Sequence, residues 1–119
     1  MDQELLERLD FIEFRQQLLF DNDDFSRLLF EHEVTRQQYG RILDFFDNLR
    51  EQLDNGEEIS SVNYESTIYR IVIHREHNYH FAEDIAQTLH EAGRYEEVFE
   101  ALYGHAPKFQ TYLQKRRGV

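Results

Sequence analysis

The sequence predicts an all-α fold, a multihelical bundle of about five to seven helices around one long central helix, assembled as a homo-oligomer. Apolar residues recur every three or four positions through most of the 119-residue chain, as they do on one face of a helix. Pro occurs once and Gly five times, whereas Phe occurs 10 times and Tyr 7 times, so the turn residues that an all-β chain needs are scarce. The length suits a single helical domain over residues 1–119.

The first helix is predicted over residues 2–20. Its apolar positions follow a heptad seam, with spacings of four and three and one polar interruption: Leu5, Leu9, Ile12, Gln16 and Leu19. Further leucines and a phenylalanine widen this apolar surface, so the helix needs a partner surface. Packing inside the subunit and contact between subunits both explain the seam. We take as our hypothesis that the five residues form the interface of a dimer or trimer.

A short second helix is predicted after Asp21–Asp24, which supply its cap, and His32 beyond it is expected to be exposed. The long central helix follows and ends at Gly56. Thr35 at its start is followed three residues later by Gln38, the spacing of a capping box. Its apolar face comprises Tyr39, Ile42, Phe46, Leu49 and Leu53.

Four more helices are predicted in the second half of the chain. Ser61 or Asn63 is expected to cap a helix whose apolar face holds Tyr64, Ile68, Ile71 and Val72. The others are predicted from about Phe81 to Ala92, from Arg94 to Tyr103, and from Pro107 onwards. The basic tail over residues 114–119 is expected to be a solvated, disordered end, and pairing of its basic residues with the acidic N-terminal half, in the same chain or in a neighbour, remains as an alternative.

The sequence holds one cluster of metal-capable side chains, between the fourth and fifth predicted helices. His74 and His77 are three residues apart, as are His80 and Glu83, so each pair shares a face if the helix continues. Three imidazoles and a carboxylate satisfy zinc or another transition metal, although no H-E-x-x-H motif is present. A solvated helix end near the helix dipole and a pH-responsive contact remain as alternatives.

Composition limits the classes of function. The net charge is −11, and residues 1–58 hold 16 Asp and Glu against 6 Lys and Arg. Such an acidic surface disfavours nucleic acid, so a nucleic-acid regulator using Arg70, Arg75 and the tail is the weakest hypothesis. The absence of cysteine excludes disulfides and thiol chemistry. No apolar run is long enough to span a bilayer and no signal peptide begins the chain, so no membrane partner and a cytoplasmic location are expected.

No catalytic constellation is evident, because the serines lie in capping or linker positions and no glycine-rich phosphate loop occurs. The sequence therefore predicts a non-enzymatic, self-associating helical module that needs no cofactor and offers an acidic surface to an unknown protein partner. The alternative is a metal-binding protein or metal-dependent enzyme that uses His74, His77, His80 and Glu83.

Taken whole, the pattern resembles the YhaI-like family of small uncharacterised helical proteins from low-GC Gram-positive bacteria. The resemblance covers nearly the full chain, and it rests on Glu7-Arg8-Leu9-Asp10-Phe11, on Phe25–Leu29 leading through Val34-Thr35 into the long helix, and on Ala92-Gly93-Arg94-Tyr95-Glu96-Glu97. It implies an all-α, multihelical fold that assembles as a homo-oligomer. It implies no activity and no functional residues.

Overall fold

A computed structural model describes residues 2–118, and they form seven α-helices and no strand. The all-α prediction is confirmed. The helices are α1 (Gln3–Asp21), α2 (Asp24–Glu31), α3 (Arg36–Asp54), α4 (Ser61–Ile71), α5 (Phe81–Glu91), α6 (Glu96–Tyr103) and α7 (Gln110–Arg116), with short 3-10 turns at Ile73–Arg75 and Pro107–Phe109.

Local capping signals define several helix ends. The capping box of α3 is present, because the Gln38 amide donates to Thr35 Oγ1 at 3.1 Å and the Thr35 amide donates to Gln38 Oε1 at 3.0 Å. Asp23 caps α2 by accepting a hydrogen bond from the Ser26 amide at 2.7 Å. Gly56 has a φ of 79°, the left-handed conformation that its position after α3 predicts.

The predicted cap of α4 was wrong by one residue. Ser60, rather than Ser61 or Asn63, has the extended backbone of an N-cap and accepts a hydrogen bond from the Asn63 amide at 3.1 Å. Several neighbouring residues have hydroxyl or amide side chains that suit an N-cap. Which of them caps the helix depends on the backbone conformation of the segment before it. The helix consequently begins at Ser61.

The core is organised around α3, which packs against α1, α4 and α6. Ile42, Phe46 and Leu49 on its predicted face are buried, and Tyr39 and Leu53 are half-buried. The Phe46 ring meets Tyr64 of α4 and Tyr95 at centroid distances of 5.6 and 5.2 Å. Aromatic rings thus link α3 to the second half of the chain.

Helix α6 begins at Glu96 rather than at the predicted Arg94, because Tyr95 adopts a left-handed backbone with a φ of 55°. A left-handed tyrosine is uncommon and costs backbone energy. The Tyr95 ring packs against Phe46, and its hydroxyl donates to Asp47 Oδ1 at 2.6 Å. These contacts with α3 offset the backbone cost.

The prediction of a disordered tail over residues 114–119 was wrong for its first part, because α7 continues to Arg116. The Arg117 guanidinium donates to Glu100 Oε1 at 3.2 Å, and Arg116 Nη2 lies 3.9 Å from Glu96 Oε1. Two basic residues that were expected to be solvated therefore form ion pairs with carboxylates of α6. The last residue of that segment, Val119, lies outside the described residues.

Candidate functional site

The most distinctive surface of the molecule is the seam of α1, its residues Leu5, Leu9, Ile12, Gln16 and Leu19. The four apolar members are exposed, at 43%, 43%, 52% and 55% respectively, and Gln16 is exposed too. The helix instead buries Phe14 and Leu18 against the rest of the chain. Within the described residues, the seam is therefore not packed inside the subunit.

The exposed apolar surface is wider than the seam. Leu6 is 45% exposed and Phe20 is 86% exposed, and both lie along one edge of the seam. Single exposed apolar residues are ordinary on a protein surface, whereas a continuous apolar patch marks a site of interaction. Helix α1 is thus apolar on two sides, and the described part of the chain covers only one of them.

The first half of α1 also lacks support from the rest of the chain. Every residue from Asp2 to Asp10 is exposed. The first side-chain hydrogen bond from α1 to another helix is made at Asp10, whose Oδ1 accepts from Arg36 Nε at 3.0 Å. The described chain is accordingly elongated, with extents of 54 × 28 × 27 Å. Short helices without tertiary packing are marginally stable in water, so this half of α1 gains from any surface that packs on it.

The four predicted metal ligands are not brought together. Helix α4 ends at Ile71, and His74 lies in a 3-10 turn with Nε2 at 2.8 Å from the His32 carbonyl oxygen. His77 Nε2 lies 3.5 Å from its neighbour Glu76, and its side chain is exposed. His80 Nδ1 is 3.9 Å from Glu83 Oε2, and Glu83 is also ion-paired with Lys108.

Across residues 2–118, no group of three or more His, Asp or Glu side chains is arranged to hold a metal ion. The predicted arrangement required one helix to run through His74 and His77, and the chain leaves the helical conformation at Val72, whose φ and ψ are −114° and 70°. Metal binding by His74, His77, His80 and Glu83 stays a prediction, and the side chains would have to move together for it.

The expectation that His32 is exposed was wrong. Its ring lies 4.7 Å from the ring of Phe81, and its Nδ1 atom is buried without a hydrogen-bond partner among the described residues. Burial, together with the positive charge of Arg75, lowers the pKa of His32. The contact joins the end of α2 to the start of α5, and no local sequence signal could have revealed it.

His90 of α5 is a second imidazole that the sequence analysis did not single out. It is buried against α6 and α7. Its Nδ1 atom lies 2.7 Å from the hydroxyl oxygen of Tyr112, and its ring packs against Phe99 at 4.8 Å. Burial lowers the pKa of His90 and raises the pKa of Tyr112 to about 12. The neutral forms of both groups are therefore favoured, and the tautomer of His90 decides which of them donates the hydrogen bond.

This burial predicts a pH dependence of stability. The unfolded chain binds a proton at His90 more readily than the folded chain, so the free energy of unfolding falls as the pH drops below about 6.5, the ordinary histidine pKa. His90→Asn keeps a polar group that both donates and accepts hydrogen bonds near the position of Nδ1, without a titrating ring, and it should flatten the decline between about pH 7.5 and 5.5.

Urea unfolding at several pH values measures the slope, with His77→Asn as the control because it removes an exposed imidazole. The same decline in the His90→Asn variant as in the unmodified protein would show that His90 does not contribute to it. His32 is unchanged in both variants, so its contribution to the pH dependence of the unfolding free energy is the same in each.

No helix within residues 2–118 is long and apolar enough to cross a bilayer. Comparison of the chain with models of protein families, with curated proteins and with solved structures found no match. The exposed seam of α1 is the candidate site that the geometry itself supplies.

Proposed function

We propose that this protein is a non-enzymatic helical module that self-associates through the seam of α1 and offers an acidic surface to another protein. The observation behind the proposal is that α1 has two apolar sides and the chain covers only the one that contains Phe14 and Leu18. An exposed apolar side on a projecting helix is costly in water, and contact with another apolar helix removes it from water.

A second copy of the chain is the partner that best fits this seam. A heptad seam packs by inserting its side chains into the holes of a similar seam, so α1 is complementary to itself. Pairing also supplies tertiary contact to Asp2–Asp10, which receive little from their own chain. Membership in the YhaI-like family belongs to the same proposal, because that resemblance implies a homo-oligomer.

The charge distribution supports the second part of the proposal. The net charge of −11 is concentrated in residues 1–58, which include α1, and assembly through α1 would bring several such acidic surfaces into one particle. A dense negative surface attracts basic protein segments and repels nucleic acid. A protein partner with a basic surface is therefore the chemistry that would recognise the assembly.

Light scattering and sedimentation of the unmodified protein test the self-association. We expect a mass two or three times the 14.5 kDa of one chain at high micromolar concentration, decreasing on dilution. Because like charges on the copies repel, moderate salt should favour the assembly. A constant mass of one chain up to high micromolar concentration would contradict the proposal.

A further inference from the structure

From the positions of charged and polar residues on α1, we infer that the copies pair as parallel, in-register helices. In this arrangement Gln16 faces the partner's Gln16, and Arg8 faces the partner's Glu13. The inference rests on the proposed self-association and adds to it the orientation and register of the contact.

The heptad positions follow from the seam. Its alternating spacings place Leu9 and Gln16 at position a, and Leu5, Ile12 and Leu19 at position d. On this numbering the buried Phe14 and Leu18 occupy positions f and c, on the far side of the helix. The seam thus faces away from the buried side of α1, and α2 contacts the g edge of the seam at Arg15.

The charged residues beside the seam distinguish the two orientations. Arg8 occupies position g and Glu13 occupies position e of the next heptad, and these positions face each other between parallel helices. Both side chains are exposed, and neither forms an ion pair within the part of the chain that the structure describes. A symmetric parallel pair therefore gains two Arg8–Glu13 contacts.

An antiparallel pair lacks this complementarity. It would place the g edge of one helix against the g edge of the other, and the g positions within the seam are Arg8 and Arg15. Arg15 is already occupied within its own chain, since its guanidinium donates to the Phe30 carbonyl at 2.9 Å and lies over the Phe30 ring. Arg8 would then face an edge that offers no carboxylate.

Gln16 favours the same orientation. Residues at position a of parallel, in-register helices lie opposite each other, so the two Gln16 carboxamides can donate to and accept from one another. In an antiparallel pair, position a lies opposite position d, and Gln16 would be buried against leucine or isoleucine without a hydrogen-bond partner. A polar residue at one a position is a known way in which sequences select register.

Disulfide crosslinking distinguishes the orientations, and the chain suits it because it has no cysteine. Leu9→Cys and Leu19→Cys introduce single thiols at an a position and a d position that are roughly 15 Å apart along the helix, and a and d positions face each other when the helices are antiparallel. A disulfide requires Cα atoms within about 7 Å. Each variant is oxidised alone, and then the two are mixed before oxidation. Val62→Cys on α4 is the control, because Val62 is an exposed apolar residue outside α1.

For parallel pairing, we expect each variant alone to form disulfide-linked dimers far more efficiently than the Val62→Cys control. Linked species that form only in the mixture, or an assembly in which neither variant crosslinks, would overturn the parallel orientation and leave the proposed self-association standing. A mass of one chain with crosslinking no greater than in the control would overturn both. Light scattering under reducing conditions, on the same samples, separates these outcomes.

A charge exchange provides a second test that leaves the seam intact. Arg8→Glu should weaken association by about tenfold, because it replaces attraction by repulsion in both symmetric contacts. Combining Arg8→Glu with Glu13→Arg should restore the dissociation constant to near that of the unmodified protein. Association that is strengthened by Arg8→Glu, or that the double variant does not restore, would contradict the parallel register.

Discussion

A single Ile12→Glu substitution is expected to convert the assembled protein into a monomer. Ile12 lies at the centre of the seam and is 52% exposed on the isolated chain. In the assembly, the new carboxylate would be surrounded by the apolar seam of the partner. Burying an unpaired charge costs several kcal/mol, which corresponds to an increase in the dissociation constant of about a hundredfold or more.

The monomer itself should tolerate this change. The substituted side chain faces solvent there, and glutamate is a better helix former than isoleucine. Sedimentation across a concentration series measures the effect on association. Val62→Glu is the matched control, since it places the same charge at an apolar residue of α4 that is 76% exposed. An unchanged mass for Ile12→Glu would mean that the seam is not the interface.

The largest expected loss of stability comes from Phe46→Ala. Phe46 is fully buried at the centre of α3, and its ring contacts those of Tyr64 and Tyr95. Truncation of a buried phenylalanine to alanine costs about 3–5 kcal/mol, because apolar contacts are lost and a cavity remains. Domains of this size have unfolding free energies of about 5–15 kcal/mol, so the variant should retain only part of its stability.

Urea unfolding tests this expectation, and it is best performed in the Ile12→Glu background so that association does not contribute to the measured stability. Phe20→Ala is the matched control, because it makes the same chemical change at a side chain that is 86% exposed. We expect the control to change the unfolding free energy by less than about 0.5 kcal/mol. A loss below about 1 kcal/mol for Phe46→Ala would contradict the central position of α3.

The helices of this protein were predictable because the signals that define them are local. The Thr35–Gln38 capping box and the left-handed Gly56 involve residues within one turn of a helix end. The burial of Ile42, Phe46 and Leu49 was predicted because apolar residues recur there every three or four positions in the sequence. Where several residues near a helix start suit a cap, as at Ser60 and Ser61, the prediction was wrong by one residue.

The predictions that failed involve contacts between distant parts of the chain. The His32 ring packs on Phe81 of another helix, and this contact half-buries an imidazole that the sequence analysis expected to be exposed. Arg117 is held by Glu100 of the preceding helix rather than by solvent. The left-handed backbone of Tyr95 is likewise stabilised by contacts with α3. Each outcome depends on tertiary packing that no short stretch of sequence specifies.

By itself, the sequence determined that the chain is helical, and it determined which residues of α1 are apolar, because periodicity and capping act over a few neighbouring residues. Only the tertiary structure decided which side of α1 the chain covers. Contacts such as Asp10 with Arg36, and Phe14 with Tyr39, hold the opposite side of the helix against the rest of the molecule. The seam is consequently left exposed, because one helix cannot present both of its apolar sides to the same core.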